Sequence, residues 1–444
     1  MPNRTPSDAL FTAHIARLGE IFTDSLTAAG FDSVVIGAGF QHYRFLDDQT
    51  YPFAANPHFL WWAPIDNAPG SFVCVRPSSR PALWFHQPED YWHKPPEMPT
   101  EAWLNEFDLA ILRVPNEARA KVPAGAAFIG EPFAGIEEWG FSAINPPALV
   151  DRLHWARAVK SPYELECMRI AARRGARAHV AAASAFHRGA SEYGIHLAYL
   201  AASGHTEAGL PYPNIIALNE GAAILHYTEL QSHTPAERRS FLIDAGAQFR
   251  GYACDITRTH AAEPGGRFGS LLAGLDAAEQ QLCARVRAGV HYPDIHALAH
   301  RLIAEILVNE KIVTCSVQTA VESGLTAVFF PHGIGHLLGL QVHDIGGHQA
   351  GPTGGQRPPP AADRYLRLTR TLEAGTVVTI EPGIYFIDLL LAQAQRDGRG
   401  RDINWETVSA LRPFGGVRVE DDVLATDGEP ENLTRDAFAE FASA

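Results

Sequence analysis

Five side chains in the second half of the chain have the types and surroundings of a metal centre. They are Asp244 and Asp255 in FLIDAGAQFRGYACDITRTH, His336 in PHGIGHLLGLQVHD, Glu381 in TIEPGIYF and Glu420 in GGVRVEDD. Each acid falls in or at the end of an apolar, β-branched run that reads as a core strand, where an ionised carboxylate is costly unless a cation neutralises it. Asp244 and Asp255 flank a hairpin turn. If the pairing is symmetric about Phe249 and Arg250, the two acids oppose one another on one face, and like charges so placed demand a positive charge between them. Alone, the pair reads equally well as one solvent-facing acid and one turn residue.

His332, His336 and His343 lie in a glycine-rich stretch that lets backbone and ligand approach closely, and imidazole is a leading metal ligand. Glu381 ends the run Val377-Val378-Thr379-Ile380 ahead of Pro382-Gly383. Glu420 alternates with Val417 and Val419 and so shares a face with Arg418. Taken singly, either glutamate reads as an ordinary ion pair, and for Glu420 the partner would be Arg418. Taken together, two Asp, two Glu and one His form an oxygen-rich set that suits Mn²⁺, with Co²⁺ or Zn²⁺ as alternatives. Four carboxylates balance two divalent cations, and such a pair, about 3.5–4 Å apart, activates water near neutral pH and polarises a carbonyl. That is hydrolysis without a nucleophilic side chain. The glycine turn at Val34-Val35-Ile36-Gly37-Ala38-Gly39 lacks the third glycine of a dinucleotide fingerprint, with His42 in its place, and is rejected as one.

The elements that must position these residues alternate along the chain. From about residue 30 to 130, SVVIGAG, FLWWAPI, SFVCVR, ALWFH, LAILRV and AFIGE read as strands of an α/β domain with a mixed sheet. Helical segments are expected at the amino end, capped by Ser7, and around Pro115 to Lys121. The boundary falls near residue 158, where Ser161, Pro162 and Glu164 make a strong helix start for a helix reaching about His187. Past residue 213, NIIALN, AAILHYT, SFLIDAG and YACDITRTH read as strands, and helices follow at about 270–287 and 294–309. TVVTIEPGIYF and GVRVEDDVLAT return as strands, and GPTGGQRPPPAAD reads as a surface excursion. The expected class is α+β, with domains at 1–158 and 159–444.

Composition narrows the function. A chain of 444 residues exceeds the size at which one core keeps growing. The net charge of −14 argues against nucleic acid and against an anionic membrane surface. Five scattered cysteines without CxxC spacing suit a cytoplasmic protein with reduced thiols. The amino end has no apolar signal region, and no run reaches the roughly 18 apolar residues of a membrane span.

Together DAG…D-I-T-R, HGxGHxxGxxxHD, EPGIY and the terminal V-E-D resemble the pita-bread metallopeptidases, the group that includes methionine aminopeptidase, Xaa-Pro aminopeptidase and Xaa-Pro dipeptidase. FLDDQTYPFAANPHFLWWAPI and PYPNIIALNEGAAILHY are similar to bacterial prolidases of the organophosphorus acid anhydrolase type. The resemblance implies a C-terminal pita-bread domain that cleaves Xaa-Pro dipeptides, a homodimer, and a side activity on organophosphorus esters. By it, Asp244 and the pair His336 with Glu381 would hold separate ions while Asp255 and Glu420 bridge. Glu381 would also move a proton, and His343 and His332 would stabilise the developing oxyanion. His226, Arg367 and Arg418 would hold the substrate carboxylate. Tyr212, Leu225, Tyr292, Val342 and Leu366 would line the pocket, and Asp48 would reach in from a partner subunit. The alternatives are an Xaa-Pro aminopeptidase for longer peptides and a non-catalytic binding protein on the same fold.

Overall fold

The computed structural model describes residues 5–442. The chain forms two compact units. One contains the residues up to Cys167 together with Phe249–Tyr252 and Gln349–Gln356, and the other holds the rest.

In the first unit, α1 (Asp8–Ala29) starts at Ser7, whose side chain accepts from the Leu10 N–H, and stops at Gly30 in the left-handed region. The sheet contains β1 (Val34–Gly37), β2 (Phe72–Val75), β3 (Ala82–His86), β4 (Asp108–Leu112), β5 (Ala127–Ile129) and β6 (Ala143–Ile144), in the order β4-β3-β2-β1-β5-β6. Pairing of β1 with β2 and of β2 with β3 is antiparallel, and the remaining pairs are parallel, so the sheet is mixed. The run FLWWAPI is not a strand. Its first four residues belong to α2 (Pro57–Trp62), because Asn56 caps the His58 N–H and Pro57 occupies the first turn. Pro115–Lys121 is helical as expected, but as a 3₁₀ helix. After α3 (Pro147–Arg157), α4 (Pro162–His187) opens with the reciprocal cap its sequence announced: Ser161 N–H donates to Glu164 and Glu164 N–H to Ser161 Oγ.

In the second unit, α5 (Glu192–Ser203) leads to β7 (Ile215–Leu218) and β8 (Ser240–Asp244). The expected strand AAILHYT does not form: its first two residues close a 3₁₀ turn, Asn219–Ala223, and the rest is turn and irregular chain, while Asn219 takes a positive φ and its side chain caps Arg239 and Ser240. A short hairpin, β9 (Gln248–Phe249) and β10 (Tyr252–Ala253), whose residues Phe249–Tyr252 are counted with the first unit, precedes β11 (Thr257–Ala261). The order β11-β8-β7 is antiparallel throughout. Ile216, Phe241 and Ile243 pack on Ala178, Ala182 and Phe186 of α4, whereas the alternate residues Ile215, Ala217 and Leu242 form a separate core on the other face.

The chain continues through α6 (Gly266–Cys283), α7 (Tyr292–Asn309), α8 (Val317–Glu322) and α9 (Thr326–Phe329). GPTGGQRPPPAAD is partly ordered, as the hairpin β12 (Gln349–Gly351) with β13 (Gly354–Gln356) and a 3₁₀ turn at Ala361–Asp363. Then come β14 (Val377–Ile380), β15 (Gly383–Tyr385), α10 (Asp388–Arg396), α11 (Trp405–Leu411), β16 (Gly416–Arg418), β17 (Asp421–Leu424), β18 (Glu431–Asn432) and α12 (Leu433–Ala442). β14 pairs with β17 and β15 with β16, and a single bridge joins Thr257 to Glu420. No helix among the described residues is long and apolar enough to cross a membrane.

Candidate active site

The five predicted donors arrive from five places in the second unit. Asp244 ends β8, where its register partner is Thr257, not Asp255. The hairpin turns two-fold about Arg250 and Gly251, both at positive φ, so the pairing is shifted two residues from the symmetric expectation. A shift of two preserves the face. Asp255 therefore still joins Asp244, and the Tyr212 hydroxyl lies between them, 2.9 Å from Asp244 Oδ1 and 2.5 Å from Asp255 Oδ1.

His336 sits on a segment laid against β14. Its N–H donates to Thr379 Oγ1, its carbonyl accepts from Thr379 N–H, and Glu381 N–H reaches back to Ile334 O. Gly335 permits this approach: at φ +152°, a Cβ there would collide with the Thr379 carbonyl and sit 2.5 Å from the Tyr292 hydroxyl. Glu420 lies in the gap between β16 and β17, bridged to Thr257, whose hydroxyl donates to Glu420 Oε2 at 2.7 Å.

This cluster fits a cation. Donor atoms of Asp255, His336 and Glu420 lie within 4.8 Å of one another. His336 Nδ1 donates to the Leu337 carbonyl at 3.0 Å, which turns Nε2 toward Asp255 Oδ2 at 3.5 Å and Glu381 Oε1 at 4.0 Å. Burial, with Asp255, Glu381 and Asp244 adding to it, drives the Glu420 carboxyl well above its usual range. Burial also raises Glu381 to about 7 and raises Asp244 despite its arginine partner. Asp255 alone is held low, since His336 and Tyr212 outweigh its burial. Side chains alone leave the acids under-neutralised, and buried charge in that state calls for metal.

Behind the donors runs a second network. Arg418 is buried; its Nη2 donates to Asp244 Oδ2 at 2.7 Å, its Nη1 to the Tyr385 hydroxyl at 2.9 Å and its Nε to Thr257 Oγ1 at 3.2 Å. Tyr385 in turn lies 2.9 Å from His332 Nε2, while His332 Nδ1 lies 2.8 Å from the Gly333 carbonyl. Because a carbonyl only accepts, Nδ1 carries the proton and Nε2 accepts from tyrosine. Burial and Arg418 lower the His332 pKa to about 3, so the ring is neutral.

The donors form the floor of a cavity of about 930 Å³. Tyr212, Leu225, His226, His332, Val342, His343, Leu366, Arg367 and Arg418 all line it. His226, His343 and Arg367 are exposed there, and the His343 ring meets that of His336 edge to face at 4.4 Å. Three expectations need correction. Arg418 commits each of its nitrogens to the protein, to Thr257, Tyr385 and Asp244, so its first role is to counter the Asp244 charge. Tyr292 does not line the cavity; it is fully buried, donating to the Thr379 carbonyl at 2.8 Å. Both ring nitrogens of His332 are already committed, which withholds them from an oxyanion. Asp48 lies in the first unit, exposed, with the Gln49 amide on its carboxylate.

Sequence reasoning also overlooked residues. Tyr385 and Thr257 each fall one strand period from a residue already singled out, Tyr385 after Gly383 in EPGIYF and Thr257 after Asp255. Thr379 and Asp422, whose carboxylate receives the Asp255 N–H, gave no signal beyond lying in core strands. Arg364 and Tyr365, which line the cavity, directly follow the stretch 351–363 that reads as a surface excursion and carry no strand or helix pattern of their own.

Comparison with known proteins agrees with this geometry. Residues 9–155 match the family described as Xaa-Pro dipeptidase, N-terminal domain, and residues 166–427 match metallopeptidase family M24. The chain belongs to metallopeptidase family M24. The M24 chain is 49% identical over 434 residues to an Xaa-Pro dipeptidase of Stenotrophomonas maltophilia (strain K279a), covering 97% of this chain and 98% of the relative. It is 46% identical to the Xaa-Pro dipeptidase of Xanthomonas euvesicatoria pv. vesicatoria (strain 85-10), with the same coverage. Among solved structures, aminopeptidase P from Escherichia coli with the inhibitor Pro-Leu aligns with a TM-score of 0.74 at 21% identity, covering 99% of both chains, and shares the pita-bread fold. The chain is thus a hydrolase of the metallopeptidase class.

Proposed function

We propose that this M24 enzyme hydrolyses Xaa-Pro dipeptides to a free amino acid and proline. The observation that carries the reading is the convergence of Asp244, Asp255, His336, Glu381 and Glu420 at the floor of a cavity whose open side presents Arg364, Arg367 and His226. Those five residues would hold two divalent ions, which we take to be Mn²⁺ and which supply Lewis-acid polarisation and an activated water.

The chain's own groups do the rest. Glu381 accepts the proton lost by the attacking water and delivers it to the departing proline nitrogen. His343, neutral because partial desolvation by the cavity wall and the neighbouring His336 lower its pKa to about 4, offers an N–H to the carbonyl oxygen as charge develops. Arg367, with Arg364 and His226, holds the proline carboxylate, and Tyr212, Leu225, Val342 and Leu366 enclose the rings and side chain. Arg418 positions Asp244, and Tyr385 with His332 positions Arg418. An Xaa-Pro bond has no amide N–H and a fixed φ, so a dedicated pocket rather than an extended-strand grip suits it.

The domain at 1–158 is assigned to dimerisation and capping of the neighbouring subunit's pocket through the loop carrying Asp48. A cytoplasmic location accords with five free cysteines. Hydrolysis of organophosphorus triesters is expected as a side reaction, since activated water attacks phosphorus as well as carbon. Parallel assays of Ala-Pro and Ala-Pro-Ala-Ala test the main reading: Ala-Pro should be cleaved far faster, and faster cleavage of the tetrapeptide would make the enzyme an aminopeptidase.

A further inference from the structure

A second cluster of metal-binding side chains lies apart from the five donors. His296 and His300 stand four residues apart on α7, hence on one helix face, and Asp363 approaches them from the 3₁₀ turn Ala361–Asp363. One donor atom from each lies within 4.8 Å of the others. They share the walls of a cavity of about 30 Å³ with Phe330 and Leu366, space for about one ion or water and nothing larger.

The ring geometry argues against a plain salt bridge. His296 is 3% exposed, yet its Nδ1 has no hydrogen-bond partner among the described residues. Its Nε2 faces Asp363 Oδ1 at 3.5 Å, too far for a good hydrogen bond but close to the roughly 3.4 Å edge of a tetrahedron with bonds of about 2.0–2.1 Å. Burial and the neighbouring His300 lower the His296 pKa to about 4, which keeps the ring neutral and its lone pair available. His300 is oriented from behind: its Nδ1 lies 2.8 Å from Thr326 Oγ1, leaving Nε2 free, the usual outer support of a ligating imidazole. Its ring meets that of His296 edge-on at 4.7 Å.

We propose that His296, His300 and Asp363 form an additional mononuclear site for a divalent ion of the Zn²⁺ class. Two imidazoles and one carboxylate favour such an ion over Mg²⁺ or Ca²⁺, with water completing the shell. The ion ties the 361–366 segment to α7. That segment holds Leu366 and Tyr365 at the wall of the large cavity and leads directly into Arg367, so occupancy fixes the loop that meets the substrate. The assignment is independent of which peptide the enzyme cleaves.

Metal analysis tests it. Metal-free full-length protein is loaded with excess Zn²⁺, passed through a desalting column and analysed for zinc per chain, alongside Asp363→Asn and His300→Ala. The wild type should retain about one ion per chain more than either variant, and equal zinc in all three would overturn the site. Asp363→Asn is nearly isosteric and decides the matter if His300→Ala does not fold. A repeat with Mg²⁺ should show no difference between wild type and variant; a difference as large as that with Zn²⁺ would overturn the assignment to a Zn²⁺-class ion.

Discussion

Arg418, buried, reaches across 2.7 Å to the partly buried Asp244 at the cavity floor. The guanidinium is the counter-charge for an acid that burial would otherwise protonate, and Tyr385 and Thr257 hold it in place. Removing one partner of such a pair strands the other, at a cost of about 3–5 kcal/mol. Arg418→Ala is therefore expected to lower metal content and kcat together, with Arg418→Lys intermediate because ammonium lacks the planar fork. A variant that kept full metal and kcat while only KM rose would return Arg418 to the substrate.

Arg367 carries the opposite expectation. It is exposed in the cavity and free of ion pairs among the described residues, so Arg367→Ala should raise KM for Ala-Pro by about 10–100-fold, or roughly 1.4–2.7 kcal/mol, and change kcat little. With Ala-Pro amide, which lacks the carboxylate, wild type and variant should converge; a persistent gap would point to a structural defect.

Asp255→Ala and Glu420→Ala should lose metal and activity in step, measured by elemental analysis and Ala-Pro turnover. Wild type stripped with chelator should recover on adding Mn²⁺. His343→Ala should retain metal while kcat falls about 10²–10³-fold, the range of a single lost oxyanion donor. Unchanged turnover there would remove His343 from the chemistry.

Gly335→Ala should destabilise the second unit by several kcal/mol, on the order of 3 or more, because a Cβ has no room beside Thr379 and Tyr292 and the backbone is at φ +152°. Metal affinity should fall as His336 is displaced from β14. Thermal unfolding with and without added Mn²⁺ reads both effects.

His260 supplies a pH signature away from the donors. Its ring stacks on Phe241 at 5.5 Å, and burial, reinforced by His187 and Arg258, lowers its pKa to about 4. The unfolded chain binds this proton near the ordinary 6.5, so between about 6.5 and 4 the unfolded state holds more protons than the native one. Stability from this group is present above 6.5 and drains away as pH falls. Relative to His260→Phe, wild type should lose about 1–2 kcal/mol more between pH 7 and pH 5 in urea titrations; parallel losses would show that the imidazole does not titrate on unfolding.

Much of this was legible in residue pattern because strands announce themselves by β-branched runs and the donors sit at their ends. The capping box at Ser161 and Glu164 formed as written, since its bonds are local. Register was harder: the hairpin between Asp244 and Asp255 turns about Arg250 and Gly251, and only the two-residue period kept both acids on one side. FLWWAPI reads as a strand because its apolar content masks the helix cap at Asn56. The contacts of Arg418 and His332 escape the sequence for a different reason. Their partners, Asp244 and Tyr385, are 174 and 53 residues away, and no local spacing reveals which charge will claim a guanidinium.

The hydrogen bond from Thr257 to Glu420 spans 163 positions. Closing so long a loop is entropically slow, and the acids gather only once it is closed. During synthesis, Asp244 and Asp255 emerge well before Glu381 and Glu420, so the early part of the polypeptide presents only part of the donor set. The full donor set is thus assembled late, with completion of the tertiary structure acting as a safety catch on the proposed chemistry.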